Sequence, residues 1–435
     1  MREAFHFLGV GGIGMSALAH LLVEKGEVVS GTDKNEAVRL KQCGVKFTKD
    51  LPSRGTIVYS SAISEDNPLF IEAKKSALPM IHRSLLVKTL LKGKEGILVA
   101  GTHGKTSTSA LLSWTLISAD YNPSFAVGGI LQNLSKNGGY GAGKHLVLEA
   151  DQSDGSFLNY SGEGAIITNI EKEHLENWKT EEKLIEGFKS FIKGIKNPNL
   201  TFYCNDDPIL KKLAIEGISY GKSGDLKLLS YDQKGLKSYF SCGYKGKVYQ
   251  DIELPLLGEV LALNALAVFG MALELGVQEE EIRKAFKTFK GVKRRQEKVG
   301  ECERITIYDD YAHHPTEIKA LLKSFKKGFK KRRLVALFQP HRYSRTRDLF
   351  SEFKGAFEDA DLTIITDIYS AGEEPICGVT SRKLVKDIHD SHTLFLEKDK
   401  LVKYAPKLLI PGDVLVTLGA GDITKLGPEI LKGLS

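Results

Sequence analysis

Two glycine turns and a row of strand ends hold the residue types that do phosphate chemistry. Gly101-Thr102-His103-Gly104-Lys105-Thr106, followed by Ser107, closes on a Gly-Lys-Thr triplet. In such a turn the backbone N–H groups cradle phosphate, the lysine reaches the terminal phosphates and the threonine hydroxyl serves Mg²⁺. The longer GxxxxGK[ST] spacing is not met, because Val99 stands where its first glycine belongs. ATP with Mg²⁺ is the cofactor expectation. An earlier turn, Gly9-Val10-Gly11-Gly12-Ile13-Gly14, has the GxGxxG form. Asp33 follows about 20 residues on, where a ribose-binding carboxylate falls. That turn suits a nucleotide diphosphate and does not separate NAD from a nucleotide sugar.

Carboxylates and imidazoles gather just beyond other short apolar runs. Residues 145–148 lead into Glu149, Asp151 and Asp154, and residues 165–169 into Glu171, Glu173 and His174. Near a phosphate-loop threonine, Glu149 and His174 are candidates for the shell of a divalent cation. The last third carries four such loops: Asp310-Tyr311-Ala312-His313-His314-Pro315, then Gln339-Pro340-His341-Arg342-Tyr343-Ser344-Arg345, then residues 367–373 and 419–422. Paired histidines suggest zinc, but further ligands at metal spacing are missing, so a substrate-contacting loop is the reading.

The elements that must position these groups alternate as strand and helix. Runs rich in Val, Ile and Leu at 4–8, 27–31, 56–59, 96–100, 145–148, 165–169, 201–203, 305–308, 334–338, 362–366 and 414–418 read as buried parallel strands. Helices are expected at 15–25 and 107–117, each straight after a glycine turn. Repeated βα units imply α/β architecture with helices on both sheet faces, and ligands beyond the carboxyl ends of the strands. Breaks at Lys92-Gly93-Lys94 and in the charged stretch 294–303 divide the chain into domains 1–92, 93–296 and 297–435. Polar sequence from 217 to 246 reads as irregular strands and hairpins late in the middle domain.

The chain has 435 residues, 42% hydrophobic and 26% charged, with net charge +7. That excludes disorder and a staple-dependent miniprotein, and a mild positive surplus suits an anionic metabolite at least as well as nucleic acid. The basic run 326–333 lacks interleaved aromatics and reads as a solvated helix end. Five isolated cysteines argue against disulfides or structural zinc and for a cytoplasmic location. No membrane span is expected, and the apolar N-terminus, broken by His6 and glycines, reads as a strand and turn rather than a signal peptide.

Taken together, Gly9 to Gly14, the GTHGKT loop, Glu149-Ala150-Asp151-Gln152-Ser153-Asp154-Gly155-Ser156-Phe157, Thr168-Asn169-Ile170-Glu171, the DYAHHP loop and Gln339-Pro340-His341-Arg342 resemble the Mur ligases over nearly the whole chain. The resemblance implies an N-terminal Rossmann-like domain for a UDP group, a central P-loop ATPase-type α/β domain, and a C-terminal Rossmann-like domain that closes on an amino acid. It implies ATP-dependent joining of L-alanine to the lactyl carboxylate of UDP-N-acetylmuramate through an acyl phosphate, in peptidoglycan precursor synthesis, by a monomer or weak homodimer. By position it places Gly11, Gly12, Ile13, Asp33, Ser60, Ser61 and Arg83 around the UDP substrate. Lys105 falls on the β- and γ-phosphates, and Thr106, Glu149 and His174 on metal. Asn264, Arg295, Asp310, His313 and His314 fall on nucleotide, and His341, Arg342 and Arg345 on amino acid and acyl phosphate.

The chain also departs from that family. Gln152 stands for a usual Glu, Glu173-His174 for Asp-His, Glu176-Asn177-Trp178 for a DxY, and Gly258-Glu259-Val260-Leu261 for a GxHN. Lys189 lies at the spacing of a lysine carbamylated in sister ligases. Three rivals remain. A recycling ligase would attach a peptide to the same sugar nucleotide, and Asp154-Gly155-Ser156-Phe157 speaks against it. A nicotinamide oxidoreductase would leave the Gly-Lys-Thr loop idle. A nucleotide-binding regulator without turnover would account for the missing His-Asn pair.

Overall fold

The computed structural model describes residues 2–34, 38–388 and 390–434. By contacts the chain divides into two compact units. One holds Met1–Ser230, Phe240–Ile252 and Leu263–Lys290, and the other Tyr231–Tyr239, Glu253–Ala262 and Gly291–Ser435.

The first unit begins with a five-stranded parallel sheet in the order Lys46–Phe47, Val28–Thr32, Ala4–Leu8, Thr56–Tyr59, Met80–His82. Helix Ile13–Glu24 follows the first glycine turn and is buried from Met15 through Leu22. An amphipathic stripe alone would not need this, and a helix apolar on all sides must be covered on all sides. Its second cover is the hairpin Ser124–Leu131 and Lys136–Gly139 of the middle sheet. A Cβ on Gly138 would lie 2.0 Å from the Ala17 carbonyl oxygen, so hairpin backbone rests directly on helix backbone. Asn137 completes the seam by donating from Nδ2 to the Ile13 carbonyl (2.7 Å) and Ser16 Oγ (2.9 Å).

The middle sheet has ten strands, with parallel Thr201–Cys204, Gly164–Ile167, Glu95–Ala100 and His145–Glu149 at its centre. Their Ile, Val and Leu side chains are buried on both faces, as parallel strands covered by helices require. The strand expected over 165–169 stops at Ile167, because Thr168 and Asn169 turn their side chains to the His103 carbonyl. The segment expected to be irregular from 217 is instead regular: Leu226–Lys234, Lys237–Tyr244 and Lys247–Leu254 are successive long strands, turned at Gly235 and Gly246 with positive φ.

In the second unit the order is Glu297–Cys302, Ile305–Asp310, Val414–Leu418, Leu334–Phe338, Leu362–Ile365, Thr393–Phe395. All neighbours are parallel except the first pair. The charged stretch taken as a boundary therefore contains an edge strand, whose exposed Glu and Lys side chains suit an edge. Alternate residues split the core. Tyr308, Ala336, Phe338, Val416 and Leu418 pack under helix Pro315–Gly328, while Ile307, Val335, Leu337 and Leu415 pack under the two C-terminal helices. The basic run is structural as well as solvated. Arg332 donates to the carbonyls of Arg304, Gly412 and Asp413, and Arg333 grips the buried Asp413 carboxylate with two bonds.

All five cysteines are free. Among the described residues no helix is long and apolar enough to cross a membrane.

Candidate active site

The phosphate loop leaves the carboxyl end of strand Glu95–Ala100 and enters helix Lys105–Ser118 through Gly104 at φ +83, with Ser107 in the first turn. Only glycine takes that φ cheaply, and a Cβ there would also lie 2.3 Å from Asn264 Nδ2. The loop is tied to the residues after the neighbouring strand. His103 N–H donates to Asn169 Oδ1 (2.9 Å), Asn169 Nδ2 and Thr168 Oγ1 donate to the His103 carbonyl, and Thr102 Oγ1 exchanges bonds with the Glu171 backbone. His103 Nε2 and Glu171 Oε2 are 2.9 Å apart. The fold thus fixes this loop from outside before any phosphate arrives.

Lys105 Nζ donates to the carbonyls of Gly101 (2.7 Å) and Thr102 (3.0 Å) and to Gln152 Oε1 (2.9 Å). All three acceptors are neutral, so no carboxylate is hydrogen-bonded to the ammonium. Thr106 Oγ1 donates to Glu149 Oε1 (3.1 Å), and Glu149 Oε2 accepts from Gly128 N–H (2.7 Å). A Cβ on Gly128 would sit 2.6 Å from both carboxylate oxygens, so glycine is what admits the carboxylate. Burial pushes the Glu149 carboxyl up, against the opposing pull of Lys105 and its hydrogen bonds. A buried carboxylate short of positive charge, sharing a hydroxyl with the phosphate-loop threonine, fits a hard divalent cation.

Of the three residues expected on metal, the structure joins Thr106 and Glu149. His174 lies at φ +57 on the next loop, with Glu173 Oε2 at 3.6 Å and Glu176 Oε1 at 3.3 Å. Asn264 Nδ2 is buried over the phosphate loop with no partner among the described residues, a donor placed for a ligand. Lys189 is exposed on helix Glu181–Lys193 and pairs with Glu186 at 3.5 Å.

At the first glycine turn Gly11 N–H donates to Asp33 Oδ2 (2.8 Å), Gly12 caps the helix, and Ile13 is exposed. Ser60 sits at the end of the neighbouring strand and takes the Ile63 N–H on its carbonyl. Ser61 Oγ donates to Asp154 Oδ2 (2.5 Å), and Arg83 lies 3.6 Å from Asp154 and 3.9 Å from Asp151. Burial pushes the Asp154 carboxyl up, but bonds from Ser156 and Ser61 and the Arg83 charge outweigh it and bring it to about 2. Arg83 is itself raised: burial opposes, and Tyr160, Asp154 and Asp151 prevail.

In the second unit the four loops expected at one sheet edge do meet. Gln339 Nε2 bonds Asp422, Arg342 N–H donates to the Tyr369 carbonyl, and Ser344 donates to Glu373. The His341 ring stacks on Tyr369 at 5.5 Å and stands 6.1 Å from His313. Arg345 approaches His341 Nδ1 at 3.1 Å. Burial first, then the charges of Arg345, His313, Arg342 and Arg294, push His341 down to about 3, so it is neutral at physiological pH. Asp310 accepts from the Gln296 and Ala312 N–H groups (both 2.8 Å); burial carries its carboxyl up to about 6 despite Arg295 and these bonds. His313 Nδ1 faces the Tyr311 carbonyl at 3.0 Å, and His314 with Glu317 caps helix Pro315–Gly328. Arg294 and Arg295 both lie over Tyr311, at 4.8 and 5.0 Å. Arg294 also staples the carbonyls of Gly419 and Gly421, a role that its position in the sequence does not betray. Gly128 and Asn137 escape a reading of the sequence too; Gly128-Gly129 leaves a trace as a pair in an apolar run, and Trp178 shows only as the end of Glu176-Asn177-Trp178, a departure from the family pattern.

Fold and phosphate loop define a nucleotide-using α/β enzyme. Three family signatures match in chain order: Mur ligase family, catalytic domain, over residues 4–95; Mur ligase middle domain over 99–272; and Mur ligase, glutamate ligase domain, over 294–421. The chain is 41% identical over 452 residues to the UDP-N-acetylmuramate--L-alanine ligase of Protochlamydia amoebophila, across 99% of this chain and 98% of that protein. It is 40% identical over 440 residues to the bifunctional enzyme MurC/Ddl of Chlamydia caviae, of which it spans 54%. Among solved structures it superposes on UDP-N-acetylmuramate-alanine ligase MurC from Thermotoga maritima with TM-score 0.85 at 28% identity, covering 99% of each chain. The chain belongs to the Mur ligase family, a family of ATP-dependent ligases.

Proposed function

We propose that this chain joins L-alanine to the lactyl carboxylate of UDP-N-acetylmuramate, as the names of its 41%-identical relatives suggest. The observation that carries the reading is the phosphate loop with Lys105 beside the buried Thr106–Glu149 pair. A carboxylate does not acylate an amine unaided. Its oxygen bonds to the γ-phosphorus of ATP while the bridge to the β-phosphate breaks and ADP leaves. The amine nitrogen then attacks the acyl carbon, the bond to phosphate breaks, and the amine sheds a proton. Phosphoryl transfer needs mainly positioning and charge neutralisation.

Lys105 holds the terminal phosphates, and the phosphate-loop N–H groups hold the rest. Thr106 and Glu149 would hold Mg²⁺, which supplies neutralisation of phosphate charge. Arg83 and the glycine turn at Gly11 to Ile13 take the UDP substrate, whose diphosphate competes with Asp33 for the Gly11 N–H. Arg342, Arg345 and the neutral His341 orient amino acid and acyl phosphate. The work divides among domains 1–92, 93–296 and 297–435, and the cytoplasm, where ATP and nucleotide sugars are at hand, is the setting. Phosphate release is the test, with ATP, Mg²⁺ and UDP-N-acetylmuramate, with and without L-alanine. Alanine-dependent release supports the ligase; tight ATP binding with no release for any amino acid supports a non-catalytic regulator.

A further inference from the structure

We propose that Trp178 is a positioning residue that sets Lys105 through Gln152 and ties the His174 loop to the phosphate loop; this rests on the reading of Lys105 as the holder of ATP's terminal phosphates. Two of the three Lys105 acceptors belong to its own loop. Gln152 Oε1 is the one from outside it, so Gln152 decides where the ammonium points. Gln152 is 1% exposed, and its own carbonyl accepts the Trp178 indole N–H at 2.9 Å.

Trp178 closes a four-residue helical turn, Leu175–Trp178, which is far too short to hold itself. The turn is bracketed by His174 at φ +57 and Lys179 at φ +68, left-handed conformations that persist only when the surroundings impose them. The indole imposes them. Its ring meets Phe157 edge-on at 6.0 Å, and a Cβ on Gly187 would lie 2.4 Å from it, so helix Glu181–Lys193 gives way there to receive it. Beside it Asn177 Nδ2 donates to the Ser153 carbonyl (2.8 Å), while the N–H groups of Asn177 and Trp178 return to the His174 carbonyl. One side chain thereby fixes the strained turn that starts at His174 and the residue that aims Lys105.

Trp178→Phe keeps a ring in the pocket and removes the N–H. The expected result is a rise of about five-fold or more in KM for ATP, the worth of one hydrogen bond, with KM for UDP-N-acetylmuramate unchanged. In a Gln152→Met background, where Lys105 has already lost its outside acceptor, Trp178→Phe should add less than two-fold. A wild-type KM for ATP in Trp178→Phe, or effects that multiply in full in the double variant, would overturn the proposal. A readout independent of these variants is the indole itself, since the chain has two tryptophans. In Trp114→Phe the emission of Trp178 should shift on titration with Mg²⁺ and a non-hydrolysable ATP analogue, with the midpoint found by calorimetry. Emission that stays constant through saturation overturns the proposal. Absence of phosphate release by the wild type would instead refute the functional reading, and the binding titration would still judge Trp178.

Discussion

Replacing Asp154 by Asn removes the charge on which Ser61, Ser156 and Arg83 converge. A carboxyl brought from 3.8 to about 2 is favoured in its ionised form by roughly 2.4 kcal/mol, at 1.36 kcal/mol per tenfold change in proton affinity. The side chain of Asp154 is 14% exposed, so solvent screening takes little of this away. The folded carboxyl lies below its unfolded value, so the stabilisation is complete above pH 3.8 and is lost as pH falls through 2. Asn keeps one acceptor for the Ser156 N–H, so the expected loss is about 1.5–2.5 kcal/mol. Urea denaturation followed by circular dichroism at pH 7 and pH 5 measures it. The deficit should be equal at the two pH values, because neither folded nor unfolded Asp154 titrates between them. A variant within about 0.5 kcal/mol of wild type at pH 7, or a deficit that shrinks by pH 5, would refute the reasoning.

Lys105→Ala should abolish turnover while calorimetry still detects UDP-N-acetylmuramate binding; normal turnover removes Lys105 from the phosphates. Gly138→Ala places a methyl 2.0 Å from the Ala17 carbonyl oxygen, and backbone on both sides cannot yield, so melting should show a loss of about 1–3 kcal/mol or more. His20, buried in the helix after the first glycine turn, is pushed down to about 4, by burial first. The unfolded chain takes that proton near pH 6.5 and the fold refuses it, so stability drains as pH falls from 6.5 toward 4. His20→Leu should therefore gain about 2 kcal/mol more against wild type at pH 5 than at pH 8, and equal differences in melts at the two pH values would contradict this.

Much of this architecture is legible in composition and period. Buried parallel strands such as Leu334–Phe338 and Val414–Leu418 are unbroken apolar runs with little else they can be. The phosphate loop announces itself because a glycine at φ +83 and a lysine must be adjacent. The hairpin Ser124–Leu131 and Lys136–Gly139 is illegible for the opposite reason. Its strands trade β-branched residues for glycines so that another helix's backbone and the Glu149 carboxylate can come close. The edge strand Glu297–Cys302 is charged because one side faces solvent, and charge reads as loop. At the site, the residues proposed to meet phosphate and metal have recognisable chemistry, whereas Gly128 acts by admitting a neighbour in space, Glu149, which leaves no mark on spacing, and Trp178 shows in the sequence only as a departure from a family pattern.

The central claim is a carboxylate activated by phosphorylation. UDP-N-acetylmuramate labelled with ¹⁸O in its lactyl carboxylate, incubated with this protein, ATP, Mg²⁺ and L-alanine, tests it most directly by mass spectrometry of the released phosphate. The account predicts one ¹⁸O in each phosphate, released in step with the alanyl product. Product formed with unlabelled phosphate, or no alanine-dependent release at all, would contradict it.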